Sequence, residues 1–188
     1  ARSDSHDWLI QLMEGVEDIP GAALSEGIDW NWETFPEYLD ALEEMPRVMD
    51  IATQVPHGSV RAYVMGERGA RNEEPTPDDL VEMAKIVQEG IEAGALGFTS
   101  SRTMLHRALD GEPVPGTFAG ADELIAMGKA VAEAGGGVVE VASDIGLGGL
   151  EGNFGSDIDW MRELASEYGL TVTYALNQSD NHPQQWRD

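Results

Sequence analysis

At 188 residues, with 41% hydrophobic and 24% charged side chains, the chain has the size and composition of one soluble domain able to bury a core without staples. Its formal charge of -24, from 35 acidic against 11 basic residues, argues against nucleic acid and anionic membranes as partners. Cysteine is absent, which excludes disulfides and thiolate metal sites. No apolar run approaches the length of a membrane span, and the opening residues ARSDSHDW lack the apolar core of a signal peptide, so a cytoplasmic protein is expected. The acids are spread along the chain. They read first as a solvated surface and second as an attraction for cations, whether metals or basic substrates.

In chain order, residues 6–15 predict a helix, with Trp8, Leu9, Leu12 and Met13 at helical spacing, and 16–32 a loop rich in Gly, Asp and Trp. Residues 34–45 predict a second helix with Phe35, Tyr38, Leu39 and Leu42 on one face, ended by Pro46. These 46 residues form a helical lead-in, and residues 47–188 alternate strand and helix within the same domain. A strand over 48–55 closes at Pro56-His57-Gly58, and a short helix follows over 59–65. Thr76 is a natural N-cap, followed by Pro77 and two acids, and Leu80, Met83, Ala84, Val87 and Ile91 place one buried face on the helix that ends at Gly94. A strand over 95–100 leads into a loop over 101–120. A helix over 122–134 ends in three glycines before a strand over 138–142. Beyond the glycine-rich stretch 146–155, Ser156 is expected to cap a helix to Tyr168, and 170–176 forms the last strand.

Helices that end in Gly just before an apolar strand mean parallel strands joined by crossover helices. The fold class is therefore α/β: a section of a (β/α)8 TIM-type barrel with about four parallel strands and outer helices, or else an open doubly wound sheet. No G-x-G-x-x-G follows a strand, so a dinucleotide site is not supported. A section of barrel leaves strand edges and an apolar inner face uncovered, and a homo-oligomer is expected to cover them.

Reactive groups in parallel sheets gather just past the carboxyl ends of the strands. Those corners hold Gln54, His57, Arg61 and Tyr63; then Thr99, Ser100, Ser101, Arg102 and His106; then Glu140, Ser143 and Asp144; then Asn177, Gln178, Asp180 and His182. Ser100, Ser101 and Arg102 with His106 offer hydroxyls and a guanidinium fork that suit a substrate carboxylate; the alternative is that Arg102 pairs with a nearby acid such as Asp110 or Glu112. His57 reads as a pocket-lining or a loop-ordering histidine, with Asp144 and Asn177 as further pocket-lining residues. Glu140 stands inside an apolar run, where a carboxylate is costly unless it is paired or bound to metal. H-x-H, H-E-x-x-H, C-x-x-C and G-x-S-x-G are all absent.

Three stretches carry a family resemblance. Met13-Glu-Gly-Val-Glu-Asp-Ile-Pro-Gly-Ala-Ala-Leu leads to Trp32-Glu-Thr-Phe-Pro-Glu-Tyr-Leu-Asp-Ala-Leu. Gln54-Val-Pro-His-Gly-Ser-Val-Arg-Ala-Tyr-Val-Met-Gly follows. The third is Glu92-Ala-Gly-Ala-Leu-Gly-Phe-Thr-Ser-Ser-Arg with Gly111-Glu-Pro-Val-Pro-Gly-Thr. In this order they resemble the middle of the N-acyl-D-amino-acid deacylase branch of the amidohydrolase superfamily. The resemblance implies a (β/α)8 barrel in which a metal, usually zinc, activates water against an amide carbon while an Asp takes the proton. It implies a small-molecule substrate, an N-acylated D-amino acid. It places an H-x-H pair upstream of Ala1 and the general-base Asp downstream of Asp188. Two further ligand histidines fall by position at Ala142 and Leu176, with Glu140 and Asn177 as the nearest polar residues. The same departures leave a second reading open, a degenerate barrel that binds small molecules or serves as a structural fragment.

Overall fold

The structure, a computed structural model, describes residues 2, 4–145, 154–177, 180 and 183–184. The chain runs α1 (His6–Glu17), α2 (Gly21–Gly27), α3 (Phe35–Glu44), β1 (Val55–Pro56), α4 (His57–Met65), α5 (Glu67–Ala70), α6 (Pro77–Glu92), β2 (Gly97–Arg102), α7 (Ala121–Glu133), β3 (Val138–Ser143), α8 (Phe154–Glu167) and β4 (Thr171–Tyr174). The glycine-rich stretch expected over 146–155 lies mostly outside the described residues, as do Gln178 and His182.

All four strands are parallel and lie in the order β1-β2-β3-β4, each beside its neighbour in sequence. A doubly wound sheet reverses its strand order at a switch point and carries helices on both faces. Here the order never reverses, and burial alternates along the strands. Phe98, Val139 and Val141 pack into the core with Met83 and Val87 of α6, Leu124, Met127 and Val131 of α7, and Trp160 and Leu164 of α8. Between them, Thr99 is half-buried and Glu140 exposed. One face is covered by helices and the other is open, as in a section of a (β/α)8 barrel.

Local chemistry explains the clearest elements. Thr76 accepts from the Asp79 amide while the Asp79 carboxylate accepts from the Thr76 amide, a reciprocal cap that starts α6 at Pro77. Thr34 and Glu37 do the same for α3. At Gly97 a Cβ would stand 1.8 Å from the Val138 carbonyl oxygen, so only glycine lets β2 and β3 begin side by side.

Several elements differ in extent from the sequence expectation. The strand expected over 48–55 pairs only at Val55–Pro56, because β1 is the sheet edge and pairs with β2 alone. Val48, Met49 and Ile51 are exposed instead. Residues 21–27, expected as loop, form α2, a seven-residue turn of helix between two glycines. Helix α8 starts at Phe154, two residues before the expected cap at Ser156.

Candidate active site

The alternation of the strands sorts the expected site residues onto two faces. Ser100 points into the helix-covered layer, where its hydroxyl meets His57 Nδ1 at 2.9 Å. His57 Nε2 lies 2.8 Å from Glu123 Oε1, in the first turn of α7, and the Arg61 guanidinium of α4 holds both oxygens of the same carboxylate. Arg61 also donates to the Glu73 carbonyl. His57 and Arg61 are 1% exposed, Glu123 2% and Ser100 4%. The imidazole packs on Phe98 with ring centroids 5.2 Å apart, and a Cβ on Gly116, whose φ is +93°, would come within 2.7 Å of Nδ1.

Burial pushes His57 below its ordinary value, against the pull of Glu123. Burial pushes the Glu123 carboxyl up, but the hydrogen bond from His57 and the charge of Arg61 outweigh it and hold it below the usual carboxylate range. The consistent state is a neutral imidazole donating from Nε2 to an ionised Glu123 and accepting the Ser100 proton at Nδ1, with Arg61 supplying the positive charge. Ser, His and Glu thus stand in relay order, yet the hydroxyl has no solvent-facing side. His57 ties β2, α4 and α7 together, 1% exposed, and is absent from the wall of the 700 Å3 cavity beside α4.

Arg102 is likewise turned inward. Its Nε and Nη2 donate to Asp157 Oδ1 at 3.1 and 2.8 Å, and its Nη1 donates to the Thr117 and Ala119 carbonyls at 3.0 and 2.6 Å. Four of the five guanidinium N–H groups are thereby engaged inside the chain, so the fork is closed to a substrate carboxylate. Asp144 is also inward: it accepts from the Thr103 hydroxyl and from the Met104 amide, which pins the start of the β2–α7 loop.

The open face keeps a shorter set. Register places Thr99, Glu140 and Thr173 in one row across β2, β3 and β4, and Ser101 beside Ala142 in the next row toward the carboxyl edge. Gln54 Nε2 donates to Glu140 Oε2 at 2.9 Å, so the carboxylate is held from the β1 side. His106 folds back from the loop to bond Ser101 Oγ through Nδ1. Asn177 is exposed, its amide donating to the Ile145 carbonyl at 3.1 Å. Where the strands pair, this face carries Thr99, Ser101, Glu140 and Thr173 beside Val138 and Ala142, less apolar than expected, because the alternation sends Phe98, Val139 and Val141 under the helices.

Glu140 is the one carboxylate in that row, and no three His, Cys, Asp or Glu groups converge among the described residues. Ala142, at one position expected for a ligand histidine, does stand on the open face, half-buried; Leu176, at the other, is exposed. A zinc site takes four ligands, or three with a water. The described residues do not fit such an ion on their own.

Residues 1–188 match the family model of the amidohydrolase family. The chain belongs to that family. It is 32% identical over 94 residues to a D-aminoacylase of Alcaligenes xylosoxydans xylosoxydans, covering 49% of this chain and 18% of that protein. It is also 32% identical over 117 residues to an uncharacterized protein of Mycobacterium tuberculosis, covering 57% of this chain and 19% of that one. The chain therefore spans about a fifth of the length of the curated relatives it matches. A solved D-aminoacylase variant in complex with CuCl2 superposes with a TM-score of 0.58 at 23% identity, over 75% of this chain and 26% of that one. A second D-aminoacylase structure, described for its binuclear metal centre, gives 0.57 at 24% identity, over 74% and 26%. At such identities the likeness concerns the fold, and it agrees with the sheet order and the one-sided helices.

The sequence reading missed Glu123, Asp157 and Thr103. The first two were within reach. Glu123 stands four residues before Met127 and eight before Val131, and Asp157 stands three before Trp160 and seven before Leu164. An acid at those offsets lies on the buried face of its helix and needs a buried cation. Arg61 and Arg102 are those cations.

Proposed function

We propose that this chain forms part of a metal-dependent amidohydrolase that cleaves the amide bond of an N-acylated amino acid, the D-series being preferred. The carrying observation is the family match over all 188 residues, together with the 32% identity to a D-aminoacylase. The open face suits that chemistry. Glu140, Thr99, Ser101 and His106 present a carboxylate, two hydroxyls and an imidazole at the carboxyl edge of parallel strands, where barrel enzymes place their substrates. Substrate contacts are assigned to Ser101 and His106. Ser100 and Arg102, engaged inward, position β2 beneath them. Zinc is the metal proposed for the whole protein, with most of its ligands supplied by residues other than those described.

The test is hydrolysis of N-acetyl-D-methionine and its L-enantiomer by the protein that contains this chain, with and without a chelator. Release of the free D-amino acid, lost on chelation and restored by zinc, supports the reading. Hydrolysis of neither enantiomer in a metal-loaded protein sinks it. A second reading, a barrel that binds small molecules without turnover, is favoured by Ala142 and Leu176 at positions expected for ligands. It requires a protein that takes up no metal.

A second copy is proposed to cover the edge of the sheet, where Met45, Val48, Met49 and Ile51 are exposed beside β1. Light scattering distinguishes a dimer from a monomer. A Val48→Lys, Met49→Lys variant that keeps the wild-type mass removes the segment from that role.

A further inference from the structure

A cavity of about 700 Å3 lies between the lead-in helices and α4. Of the open-face side chains discussed above, Gln54 alone reaches it. Its wall is aromatic, with Trp8 of α1, Trp32, Phe35 and Tyr38 around the start of α3, and Tyr63 of α4. Trp32 tilts against Tyr38 with ring centroids 4.9 Å apart, and Tyr38 meets Phe35 edge-on at 5.7 Å. Ring faces carry the negative end of a quadrupole, so such a wall attracts cations. Asp4, Glu33, Glu67 and Glu89 also line the cavity, the Glu67 carboxylate being paired with Arg71, and Arg2 is the one cationic residue among the described lining residues.

That one cation shows what the wall accepts. The Arg2 guanidinium carbon sits 4.6 Å from the centroid of the Tyr63 ring. The Tyr63 hydroxyl donates to Glu33 Oε1 at 2.8 Å, so ring and carboxylate act together. A second observation is independent of Arg2. Gln54 Oε1 is buried and accepts no hydrogen bond among the described residues, although Nε2 donates to Glu140. A buried acceptor without a donor is costly. A guanidinium brings five N–H donors and no acceptor, stacks flat on an aromatic face, and is less strongly hydrated than an ammonium.

We infer that this cavity is a binding site for a small guanidinium-bearing ligand, stacked on Tyr63 with its N–H groups toward Glu33 and Gln54. Arg2 is its internal competitor, holding the ring face when no ligand is bound. Neutral and anionic molecules lack the charge the wall selects. The inference needs no hydrolytic step, so it stands or falls apart from the proposed activity.

Agmatine, which carries a guanidinium and no carboxylate, is the probe. Trp8 and Trp32 in the wall report its binding by fluorescence at physiological ionic strength, where diffuse attraction to an acidic surface is screened. Saturable quenching is expected. Arg2→Ala should tighten agmatine about 5- to 10-fold, and Tyr63→Leu should weaken it by a similar factor, the size of one cation–π contact in a partly dry site. Tyr63→Phe keeps the ring and should retain most of the affinity; Gln54→Met should reduce it. Cadaverine, with two ammonium groups and no guanidinium, should bind more weakly. The inference is overturned if Arg2→Ala shows no saturation, or if agmatine and cadaverine bind alike. It is also overturned if a folded Tyr63→Leu binds as the wild type does. Should circular dichroism show Tyr63→Leu unfolded, Arg2→Ala and the two-amine comparison decide the matter.

Discussion

Strand β2 shows two chemistries one residue apart. On its covered side Ser100 and Arg102 enter networks closed within the chain, His57–Glu123–Arg61 for one and Asp157 with two carbonyls for the other. On its open side Thr99 and Ser101 stand beside Glu140, Ala142 and the returning His106. The covered side carries more ionisable groups and more contacts, yet it offers a ligand nothing. A buried pair is satisfied by its partner, and its value is in joining elements; an open row with fewer bonds is where a substrate can compete. The density of polar contacts therefore marks the scaffold of this fold, and access marks the site, since Arg61 Nε lacks a partner in the covered layer yet is buried where no ligand reaches it.

The largest effect that can test this contrast is at Glu123. Glu123→Ala leaves the Arg61 charge without its counter-ion and His57 Nε2 without an acceptor in a dry layer, and breaking a buried pair from one side costs about 3–5 kcal/mol. Urea unfolding should show that loss in the midpoint. A loss comparable to that of an ordinary surface substitution would mean that water reaches the network, and the covered face would then not be closed. Asp157→Ala comes next, at about 3 kcal/mol, because Arg102 keeps its bonds to Thr117 and Ala119 and sits nearer the surface. If Asp157→Ala instead leaves stability unchanged, Arg102 can swing outward, and its place as a substrate contact reopens.

The contrast also has a pH signature. His57 in the folded state takes up a proton only below its ordinary value of 6.5, whereas the unfolded chain takes it up near that value. Between the two the unfolded state binds more protons, so stability falls as pH drops below about 6.5. Glu123, also lowered, adds a second loss that begins below its ordinary 4.5. Neither contributes slope above neutrality. Melting temperature should decline from pH 7 to pH 5 in the wild type and decline less in His57→Gln; equal slopes would mean that another group carries the dependence.

How much of this was legible beforehand depended on where each element finds its partners. Helix α6 carries its own start signal in Thr76, Pro77 and Asp79, and strands β2 and β3 are bounded by Gly94 and Gly135–Gly137, so both could be read locally. The strand over 48–55 could not, because pairing is a property of the neighbour and, among the described residues, β1 pairs with β2 alone. Ser100, Ser101 and Arg102 look like one anion-binding run in sequence. The period of two in a strand sends them to opposite faces, and only the helix positions of Glu123 and Asp157 reveal which face is closed. The cavity against Tyr63 was illegible for the same reason: its wall joins residues from 2 to 89 through no local pattern.

The smallest expected effect is the one that bears most directly on the open face. Glu140 is exposed, and its carboxylate receives one bond, from Gln54 Nε2 at 2.9 Å. Glu140→Gln preserves shape and hydrogen-bonding capacity while removing charge from a row flanked by Thr99 and Thr173. Nothing buried is left unpaired, so stability should stay within about 0.5 kcal/mol of the wild type, as for a surface substitution. If the covered face is scaffold and the open face is site, the same variant should nonetheless lower hydrolysis in the protein that contains this chain. The pair of measurements separates the two roles cleanly. Unchanged stability with reduced turnover assigns Glu140 to the site. A stability loss approaching that of Glu123→Ala would show that Glu140 is a scaffold residue after all, and that the open face is closed by something the carboxylate holds.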